Sequence, residues 1–377
     1  MTITPDSTTP PGHGTHNPTV ASSSPSADEF AERFLDSTLA TAETMSVYLG
    51  ERLGWYRCLV DHGPLTAEDL ASRTATDARY AREWLEMQAA FGILDADLSG
   101  RPTTFGISPG VAEVLTDTSS RSYLGALPRM FAASFGRLSE LLDAYRTGGG
   151  VSWEQLGADA RECQAALNKP WFDADLAPAL AAIDHLHQRL SRPGAKIADI
   201  GFGAGHSTIA LAHAYPDATF VGLDVDAASV QMARDNAEAE GLGDRVQFHL
   251  AGGEEAVAHG PFDAAFAFEC LHDMPRPVEV LAATRQALAP GAPMIVMDEA
   301  VSDEFSGPAD ELDKLMYGFS LFVCLPDSMS SPPSVATGTV MRPATLRSYA
   351  EQAGFRSVEV LPIEDFAFFR FYELRTG

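Results

Sequence analysis

The sequence predicts an α/β protein: a seven-stranded, mostly parallel sheet covered by helices, preceded by a smaller and mainly helical domain. Three observations support this fold class. From Ala195 onward, apolar segments with strand character alternate with segments of helical periodicity. The first strand runs directly into the glycine-rich stretch 199-DIGFGAG-205. The last two strands, 355–363 and 367–374, have no helix between them, which predicts an antiparallel hairpin at the edge of the sheet.

The length of the chain predicts more than one domain. Its 377 residues exceed what a typical single core accommodates. Residues 1–28 contain 16 Ser, Thr or Pro and neither Lys nor Arg, a composition that predicts a disordered tail. Changes of pattern then predict an N-terminal domain over 29–118, a helical linker and pocket cover over 119–190, and the sheet domain over 191–377.

The charge and the cysteine content argue against several classes of protein. The formal net charge of −26 disfavours a nucleic-acid partner, because an acidic surface repels phosphate groups. The four cysteines include no CxxC pair and are interpreted as reduced thiols. The sequence contains neither an apolar run long enough to span a membrane nor a signal-peptide pattern. It therefore predicts a soluble, cytoplasmic protein without a membrane partner.

The N-terminal domain has the predicted order helix, helix, hairpin. Thr66 and Asp69 predict a capping box at the start of a short helix, and Asp77 predicts the start of a second one. The second helix has an apolar face formed by Tyr80, Trp84, Met87 and Phe91. A short hairpin then leads to Phe105. This order is typical of a winged-helix domain.

A winged-helix domain can bind DNA or can serve as an interaction and dimerisation module. Residues 46–100 carry five Arg and no Lys, against nine Asp or Glu. On the second helix, acidic neighbours offset Arg79 and Arg82. Because a DNA-reading helix needs a basic surface, we favour the interaction module and expect a homodimer formed through this domain.

Residues 120–190 have mainly helical patterning, interrupted by the three glycines at 148–150. Within them, 168-NKPWF-172 is predicted to form an aromatic turn. Asn168 and Trp171 in this turn could line a substrate pocket, and packing between domains is the equal alternative.

The strands and helices of the sheet domain can be placed from their periodicity. Parallel strands are predicted at 195–200, 219–224, 246–250, 262–268 and 293–299. Helices are predicted at 207–215, 227–241 and 276–289, and again from Pro343 to Gly354. Because ligands of such sheets bind at the carboxyl ends of the strands, we expect the functional site there.

The glycine-rich stretch does not follow the dinucleotide pattern. That pattern needs a glycine at its sixth position, which here is His206, and the third glycine of the stretch is Gly205. Asp199 can instead hold an ammonium group or the peptide groups of the loop. Asp224 ends the next strand and can accept the two hydroxyls of a ribose. Together these residues predict a site for adenosine carried on a group other than pyrophosphate.

From about 195 to 300, the chain resembles the class I S-adenosylmethionine-dependent methyltransferases. The resemblance is carried by 199-DIGFGAG-205, by the acidic end of the second strand, and by 289-APGAPMIVMD-298. With the terminal hairpin it extends to about residue 375, and it implies a Rossmann-like methyltransferase fold with S-adenosyl-L-methionine as cofactor. It also implies that Asp224 binds the ribose and that Val225 contacts the adenine. The other implied cofactor contacts are Asp199, Gly201, Phe202, Gly203, Gly205, Phe268 and Glu269.

One position departs from the family pattern. The family often has an aspartate just after the third strand, where it faces the adenine amine. Here that stretch is 249-HLAGGEEA-256, with Gly252 in the expected place. Gly252 is therefore assigned to the cofactor site through its backbone, with Glu254 as an alternative adenine contact.

The end of the fourth strand, 266-FAFECLHDMPRP-277, contains the candidate catalytic residues. His272 and Asp273 resemble the His-Asp pair of small-molecule O-methyltransferases, in which the histidine is the general base. Met274 stands where the family usually has a tryptophan. His272 could otherwise cap the following helix or pack beside the cofactor. Glu269 could orient the sulfonium, bind substrate or accept hydrogen bonds from loop amides.

His272, Asp273, Asp298 and Glu299 could converge at neighbouring strand ends and hold a metal. The sequence nevertheless predicts no required metal, since no histidine follows His272 and the carboxylates lack a ligand spacing. The apolar segment 313–330 could form a pocket wall through Tyr317 and Phe322, and core packing is the equal alternative. As a wall, it predicts a small apolar or aromatic substrate. A transcription regulator that senses the cofactor and an enzyme that uses it without methylation remain the alternative functions.

Overall fold

A computed structural model describes residues 24–377, which divide into two compact units. One unit comprises the chain up to Asp117 together with Ser122–Pro128, and the other comprises Thr118–Arg121 and Arg129–Gly377. Of the predicted tail, residues 1–23 lie outside the described part. Ser26 caps a helix that begins at Ala27, so the last residues assigned to the tail are helical.

The first unit consists of helices and one small hairpin. Its core contains Trp84, whose ring lies 4.8 Å from that of Trp55 and 5.0 Å from that of Tyr56. Its elements are α1 (Ala27–Arg52), α2 (Trp55–His62), α3 (Ala67–Thr74), α4 (Ala78–Ala90), β1 (Asp95–Asp97), β2 (Thr104–Gly106) and α5 (Pro109–Thr116).

The two predicted helix starts are present, with one difference in detail. Asp77 caps α4 by accepting hydrogen bonds from the backbone N–H groups of Arg79 and Tyr80. Thr66 caps α3 by accepting from the backbone N–H of Asp69. The Asp69 side chain accepts from the Thr66 hydroxyl instead of from its backbone, so the reciprocal bond of a capping box is missing.

The buried face of α4 differs from the predicted one. Its buried residues are Ala81, Trp84, Leu85 and Gln88. Tyr80, predicted to lie on the apolar face, is 76% exposed. Gln88 lies on the inward face because its side chain is paired inside the core with Ser46 and Tyr56.

The predicted hairpin is present as β1 and β2, paired antiparallel from Asp95↔Gly106 to Asp97↔Thr104. A bridge between Leu65 and Phe105 connects it to the residues before α3.

A series of helices lies between α5 and the sheet, and all but the first two residues of these helices belong to the second unit. As predicted, a left-handed glycine, Gly148, ends one of them. They are α6 (Leu127–Phe135), α7 (Leu138–Thr147), α8 (Trp153–Leu156), α9 (Ala158–Trp171), α10 (Ala177–Ala181) and α11 (Asp184–Leu190).

The predicted aromatic turn at 168–172 is wrong. Helix α9 continues through Trp171 with Pro170 inside it, and a π-helical turn follows at Phe172–Leu176. Because proline has no backbone N–H, one helical hydrogen bond is missing, and the wider turn that follows accommodates the irregularity.

The seven-stranded sheet of the described residues has the order β5-β4-β3-β6-β7-β9-β8. All neighbouring strands are parallel except for the pairs that involve β9, which are antiparallel as the terminal hairpin predicts. The strands are β3 (Lys196–Ile200), β4 (Thr219–Asp224), β5 (Val246–Leu250), β6 (Ala264–Phe268), β7 (Met294–Glu299), β8 (Ser357–Val360) and β9 (Phe369–Arg375). The helices between them are α12 (His206–Ala214), α13 (Ala227–Ala239) and α14 (Pro277–Ala287).

The inner strands of the sheet, β3, β4, β6, β7 and β9, bury both of their faces. Ile197, Phe220 and Phe266 belong to the core on one side of the sheet, and their chain neighbours Ala198 and Val221 belong to the core on the other side. Burying one phenylalanine side chain contributes about 1.5–3 kcal/mol. This two-sided burial fixes the strand ends, where the loops discussed below begin.

The stretch 300–341, predicted to be irregular, contains helices. They are α15 (Glu311–Phe319) and α16 (Leu325–Met329), joined by a π-helical turn at Ser320–Cys324. Helix α17 (Pro343–Gln352) then begins at the predicted proline. Between residues 24 and 377, none of the helices is both long enough and apolar enough to cross a bilayer.

Candidate active site

The glycine-rich turn follows β3 and requires its glycines. Gly201, Gly203 and Gly205 have φ angles of 72°, 54° and 77°, in the left-handed region that favours glycine. A Cβ atom at Gly201 would lie 2.7 Å from the Cys270 Sγ atom, and one at Gly205 would lie 2.8 Å from the Phe248 ring. The turn therefore presents bare backbone at the carboxyl end of the sheet.

Asp224, at the end of β4, is held in a fixed orientation by backbone groups. One of its carboxylate oxygens accepts a hydrogen bond from the Gly203 N–H at 2.9 Å, and the other accepts from the Asp226 N–H at 2.9 Å. Burial raises the pKa of Asp224 to about 6, and the backbone hydrogen bonds oppose this rise. The carboxylate predicted to bind ribose is thus preorganised against the glycine turn.

Asp199 is buried at the entrance of the turn. Its Oδ2 atom accepts hydrogen bonds from the hydroxyls of Ser207, at 2.7 Å, and Thr208, at 2.6 Å. Its Oδ1 atom is buried and has no hydrogen-bond partner among residues 24–377. Burial raises the pKa of Asp199 to about 6. The side chain does not accept from the loop amides, and its free oxygen suits an ammonium group.

The other predicted cofactor residues occupy different environments. Phe202 is buried, with its ring 4.4 Å from that of Phe248, so its side chain belongs to the core. Phe268 is also buried and packs on Phe172 with ring centroids 5.6 Å apart. Val225 is 76% exposed, which leaves an apolar surface beside Asp224. Gly252 is buried and precedes the 3₁₀ turn Gly253–Ala258.

Glu269 stands in a strained conformation directly after β6. Its φ angle of 52° is unusual for a residue other than glycine. Its carboxylate accepts a 2.6 Å hydrogen bond from the Asn168 amide, so these two predicted site residues are in contact. Burial raises the pKa of Glu269 to about 7. Strain of this kind often accompanies a functional position.

His272 lies in a buried cluster of carboxylates. Its Nδ1 atom is 3.0 Å from Asp298 Oδ1 and 3.3 Å from Glu299 Oε2, and its Nε2 atom is 3.3 Å from Asp273 Oδ1. The side chain of His272 is only 2% exposed. Arg276 caps the following helix, so the alternative role of His272 as a helix cap does not apply.

The carboxylates determine the electrostatics of His272. Burial alone lowers the pKa of an imidazole, but Asp298, Glu299 and Asp273 together raise the pKa of His272 well above its ordinary value. The hydrogen bond between Nδ1 and Asp298 orients the ring. The arrangement can therefore accept a proton at Nε2 and stabilise the resulting imidazolium.

The same cluster brings potential metal ligands together. Ligand atoms of His272, Asp298 and Glu299 lie within 4.8 Å of one another, as do those of His272, Asp273 and Cys324. The convergence of His272 with Asp298 and Glu299 agrees with their expected places at neighbouring strand ends, whereas Cys324 comes from a separate segment and was not expected. That no metal is required stays a prediction.

The predicted pocket residues belong to separate apolar groups. The Trp171 ring packs against Phe366 at 5.9 Å, whereas the Phe322 ring packs against Phe135 at 5.6 Å. The Tyr317 hydroxyl lies 3.3 Å from a guanidinium nitrogen of Arg342. A pocket wall formed by Trp171, Tyr317 and Phe322 stays a prediction.

Sequence reasoning missed Arg161 and Asp226, which pair beside Asp224, and the hydroxyls of Ser207 and Thr208. A signal for Arg161 was present. Arg161, Gln164 and Asn168 are spaced by three and four residues, which places them on one face of a helix.

The model of the family described as "Methyltransferase domain" matches residues 191–324. Among solved structures, the chain resembles the mitomycin 7-O-methyltransferase MmcR, with a TM-score of 0.70 and 23% identity over 93% of this chain and 99% of that one. It also resembles human N-acetylserotonin methyltransferase, solved in complex with SAM, with a TM-score of 0.66 and 18% identity over 94% and 100% of the two chains. At these identities the structural likeness shows the fold.

Curated relatives match over shorter segments. Methyltransferase GfsG of Streptomyces halstedii is 33% identical over 120 residues, which cover 31% of this chain and 43% of that protein. O-methyltransferase cnsE of Penicillium expansum is 29% identical over 173 residues, which cover 46% and 56%. The chain thus spans about half the length of these relatives. We conclude that residues 191–324 form a methyltransferase domain, in agreement with the resemblance seen in the sequence.

Proposed function

We propose that this protein transfers a methyl group from S-adenosyl-L-methionine to a small apolar or aromatic metabolite, with His272 as the general base. The observation that carries the proposal is that the glycine turn, the preorganised carboxylate of Asp224 and the His272 cluster follow the ends of neighbouring strands. Each of these features follows the carboxyl end of a strand in one parallel sheet, where such folds bind ligands.

The cofactor residues fit a cationic nucleoside. The Oδ1 atom of Asp199 is buried and has no hydrogen-bond partner among residues 24–377. It would accept a hydrogen bond from the amino group of the methionine part of the cofactor. Asp224 would bind the ribose hydroxyls with the lone pairs that Gly203 and Asp226 leave free. The exposed Val225 would cover the adenine, next to the backbone of Gly252.

S-adenosylmethionine supplies an activated methyl group on a sulfonium, and the residues of this chain position it and move one proton. Most of the rate enhancement then comes from alignment of the acceptor with the methyl group. The Nε2 atom of His272 would accept the hydroxyl proton of the acceptor while Asp298 holds Nδ1. Because the carboxylates raise the pKa of His272, its proton-accepting form is populated at a higher pH than that of an ordinary imidazole.

The proposed substrate site is lined by α9 and by the apolar 313–330 segment. Asn168 contacts Glu269, which places the α9 side chain at the edge of the crevice. Trp171, Tyr317 and Phe322 supply the aromatic surface that suits an apolar acceptor. The printed names of the relatives, which include O-methyltransferases, support a hydroxyl as the acceptor group.

The remaining partner assignments are also part of the proposal. A homodimer through the first unit is supported by the large apolar side chains that α1 exposes, including Phe34 at 64% and Leu35 at 59%. The arginines Arg79 and Arg82 of α4 are paired with Glu83 and Glu68. Because this pairing offsets their positive charge, it supports an absence of nucleic-acid binding. We further propose that the protein acts in the cytoplasm.

A turnover assay tests this function. The purified protein would be incubated with S-adenosylmethionine and a panel of phenols, catechols and hydroxyquinones, and S-adenosylhomocysteine release would be measured. The proposal predicts acceptor-dependent release with a methylated product of matching mass. Consumption of the cofactor without S-adenosylhomocysteine release would support a non-methylating enzyme instead.

A further inference from the structure

One face of α9 carries polar side chains that reach the loops on both sides of the cofactor crevice. Arg161 binds Asp226, which follows β4, and Asn168 binds Glu269, which follows β6. Arg161 and Asn168 are seven residues apart, a spacing that returns to the same side of a helix after about two turns.

The dimensions of the helix and of the sheet agree. Seven residues of α-helix span about 10 Å. Strands β4 and β6 flank β3, so their ends are separated by two strand spacings, also about 10 Å. Helix α9 therefore extends across the ends of β4, β3 and β6.

The pair between Arg161 and Asp226 is the stronger of the two attachments. The Arg161 Nε atom lies 2.5 Å from Asp226 Oδ2, and Nη2 lies 2.9 Å from Oδ1, so the guanidinium binds the carboxylate with two parallel hydrogen bonds. Both side chains are only 10% exposed. A pair this sheltered is screened far less by solvent than a surface pair.

Asp226 also connects the pair to the predicted ribose site. Its carboxylate accepts hydrogen bonds from the backbone N–H and the hydroxyl of Ser229 and thereby caps α13. Its own N–H donates to Asp224 Oδ1. Arg161 thus fixes the residue whose backbone orients the Asp224 carboxylate.

We propose that Arg161 is a positioning residue for the nucleoside end of the cofactor: through Asp226 it orients Asp224 and holds α9 over the bound ligand. This inference rests on the proposed function, since it assumes that the crevice binds S-adenosylmethionine or its product. Arg161 acts through its neighbours and does not take part in the transfer step.

The test measures S-adenosylhomocysteine binding to full-length variants by calorimetry and its release by stopped-flow fluorescence. Arg161→Met removes the charge and keeps a similar side-chain length. We expect the Kd to rise about ten- to a hundredfold, within the usual range of coupling between two sites, chiefly through faster release. Arg161→Lys should recover part of the affinity, because a lysine keeps the charge without the two-pronged geometry.

Two further variants separate positioning from general stability. Arg146→Met removes a surface pair with Asp143 in the same unit and should bind like the wild type. The double variant Arg161→Met/Asp226→Asn should lose no more affinity than Asp226→Asn alone, because the two residues act as a pair. The melting temperatures of all variants are recorded, and a positioning role predicts a loss of affinity at temperatures where Arg161→Met remains fully folded.

The outcomes are distinguishable. If the wild type binds S-adenosylhomocysteine and Arg161→Met binds it equally well, the role of Arg161 is overturned and the proposed function stands. The role of Arg161 is also overturned if the affinity losses of Arg161→Met and Asp226→Asn add up in the double variant. It is likewise overturned if Arg161→Lys loses as much affinity as Arg161→Met. If the wild type itself shows no binding, both the inference and the proposed function fail.

Discussion

At the scale of single residues, the most informative contrast is between Asp224 and Asp199. The position of Asp224 at a strand end predicts its place in the crevice, because the periodicity of the strand is legible in the sequence. The partners of Asp199 are hydroxyls from the next helix, Ser207 and Thr208, and nothing in the spacing predicts that they turn toward it. Strand ends are encoded locally, whereas side-chain pairing depends on how helix and strand pack.

Replacement of His272 tests the assigned base. His272→Ala should bind S-adenosylhomocysteine with nearly unchanged affinity, because the imidazole is held by carboxylates and not by the glycine turn. Turnover should fall about 100- to 10,000-fold, the usual contribution of general base catalysis. The matched control is His213→Ala, which removes an exposed histidine paired with Glu240. Turnover that equals the wild-type rate would rule out His272 as the base.

Cofactor binding should depend on pH through Asp199 and Asp224. Burial raises the pKa of each carboxyl to about 6, so both are increasingly protonated as the pH falls below that value. A protonated Asp199 cannot attract an ammonium group, and a protonated Asp224 loses an acceptor for the ribose. Affinity for S-adenosylmethionine should therefore rise from pH 5 to pH 7 and then level off.

Calorimetry across this pH range checks the prediction, with Asp199→Asn as the control that cannot ionise. The variant should bind weakly and with a shallower dependence on pH. Wild-type affinity that is constant or that increases toward pH 5 would contradict the roles assigned to the two carboxylates.

At the scale of elements, the glycine turn shows how backbone and packing both constrain a sequence. Gly205 has a φ of 77°, and a Cβ atom added there would lie 2.8 Å from the Phe248 ring. Gly203 has a φ of 54°, and a Cβ atom added there would meet no other atom within 4 Å. Helix α9 shows the opposite case. The sequence interpretation placed an aromatic turn at 168–172, but the helix continues through Pro170 up to the π-helical turn.

The two glycines provide a matched pair of variants. Gly205→Ala should lower the free energy of unfolding by about 2–4 kcal/mol, because overpacking adds to backbone strain. Gly203→Ala should cost about 1–2 kcal/mol from strain alone. Urea denaturation of both variants measures the difference. Equal destabilisation would show that contact with Phe248 does not limit the residue at 205.

At the scale of the whole chain, most of the sheet could be predicted and much of the site could not. The strand positions and the closing hairpin follow from alternation and from a missing helix, both visible in the sequence. The convergence of Asp273, Asp298 and Cys324 on His272 depends on strand order and on a π-helical turn in the 320–324 segment. Neither leaves a periodic trace, so the hydrogen-bond partners of His272 and the place of Cys324 beside it could be described only from the structure.

The central claim is that the crevice after β3 and β4 binds S-adenosylmethionine. Isothermal titration calorimetry of the purified chain with this cofactor, compared with NADH, tests it most directly. We predict one site per chain with a Kd in the micromolar range for S-adenosylmethionine, a large loss of affinity in Asp224→Asn, and no heat with NADH. The absence of binding to S-adenosylmethionine, or binding of NADH at the same site, would contradict the account.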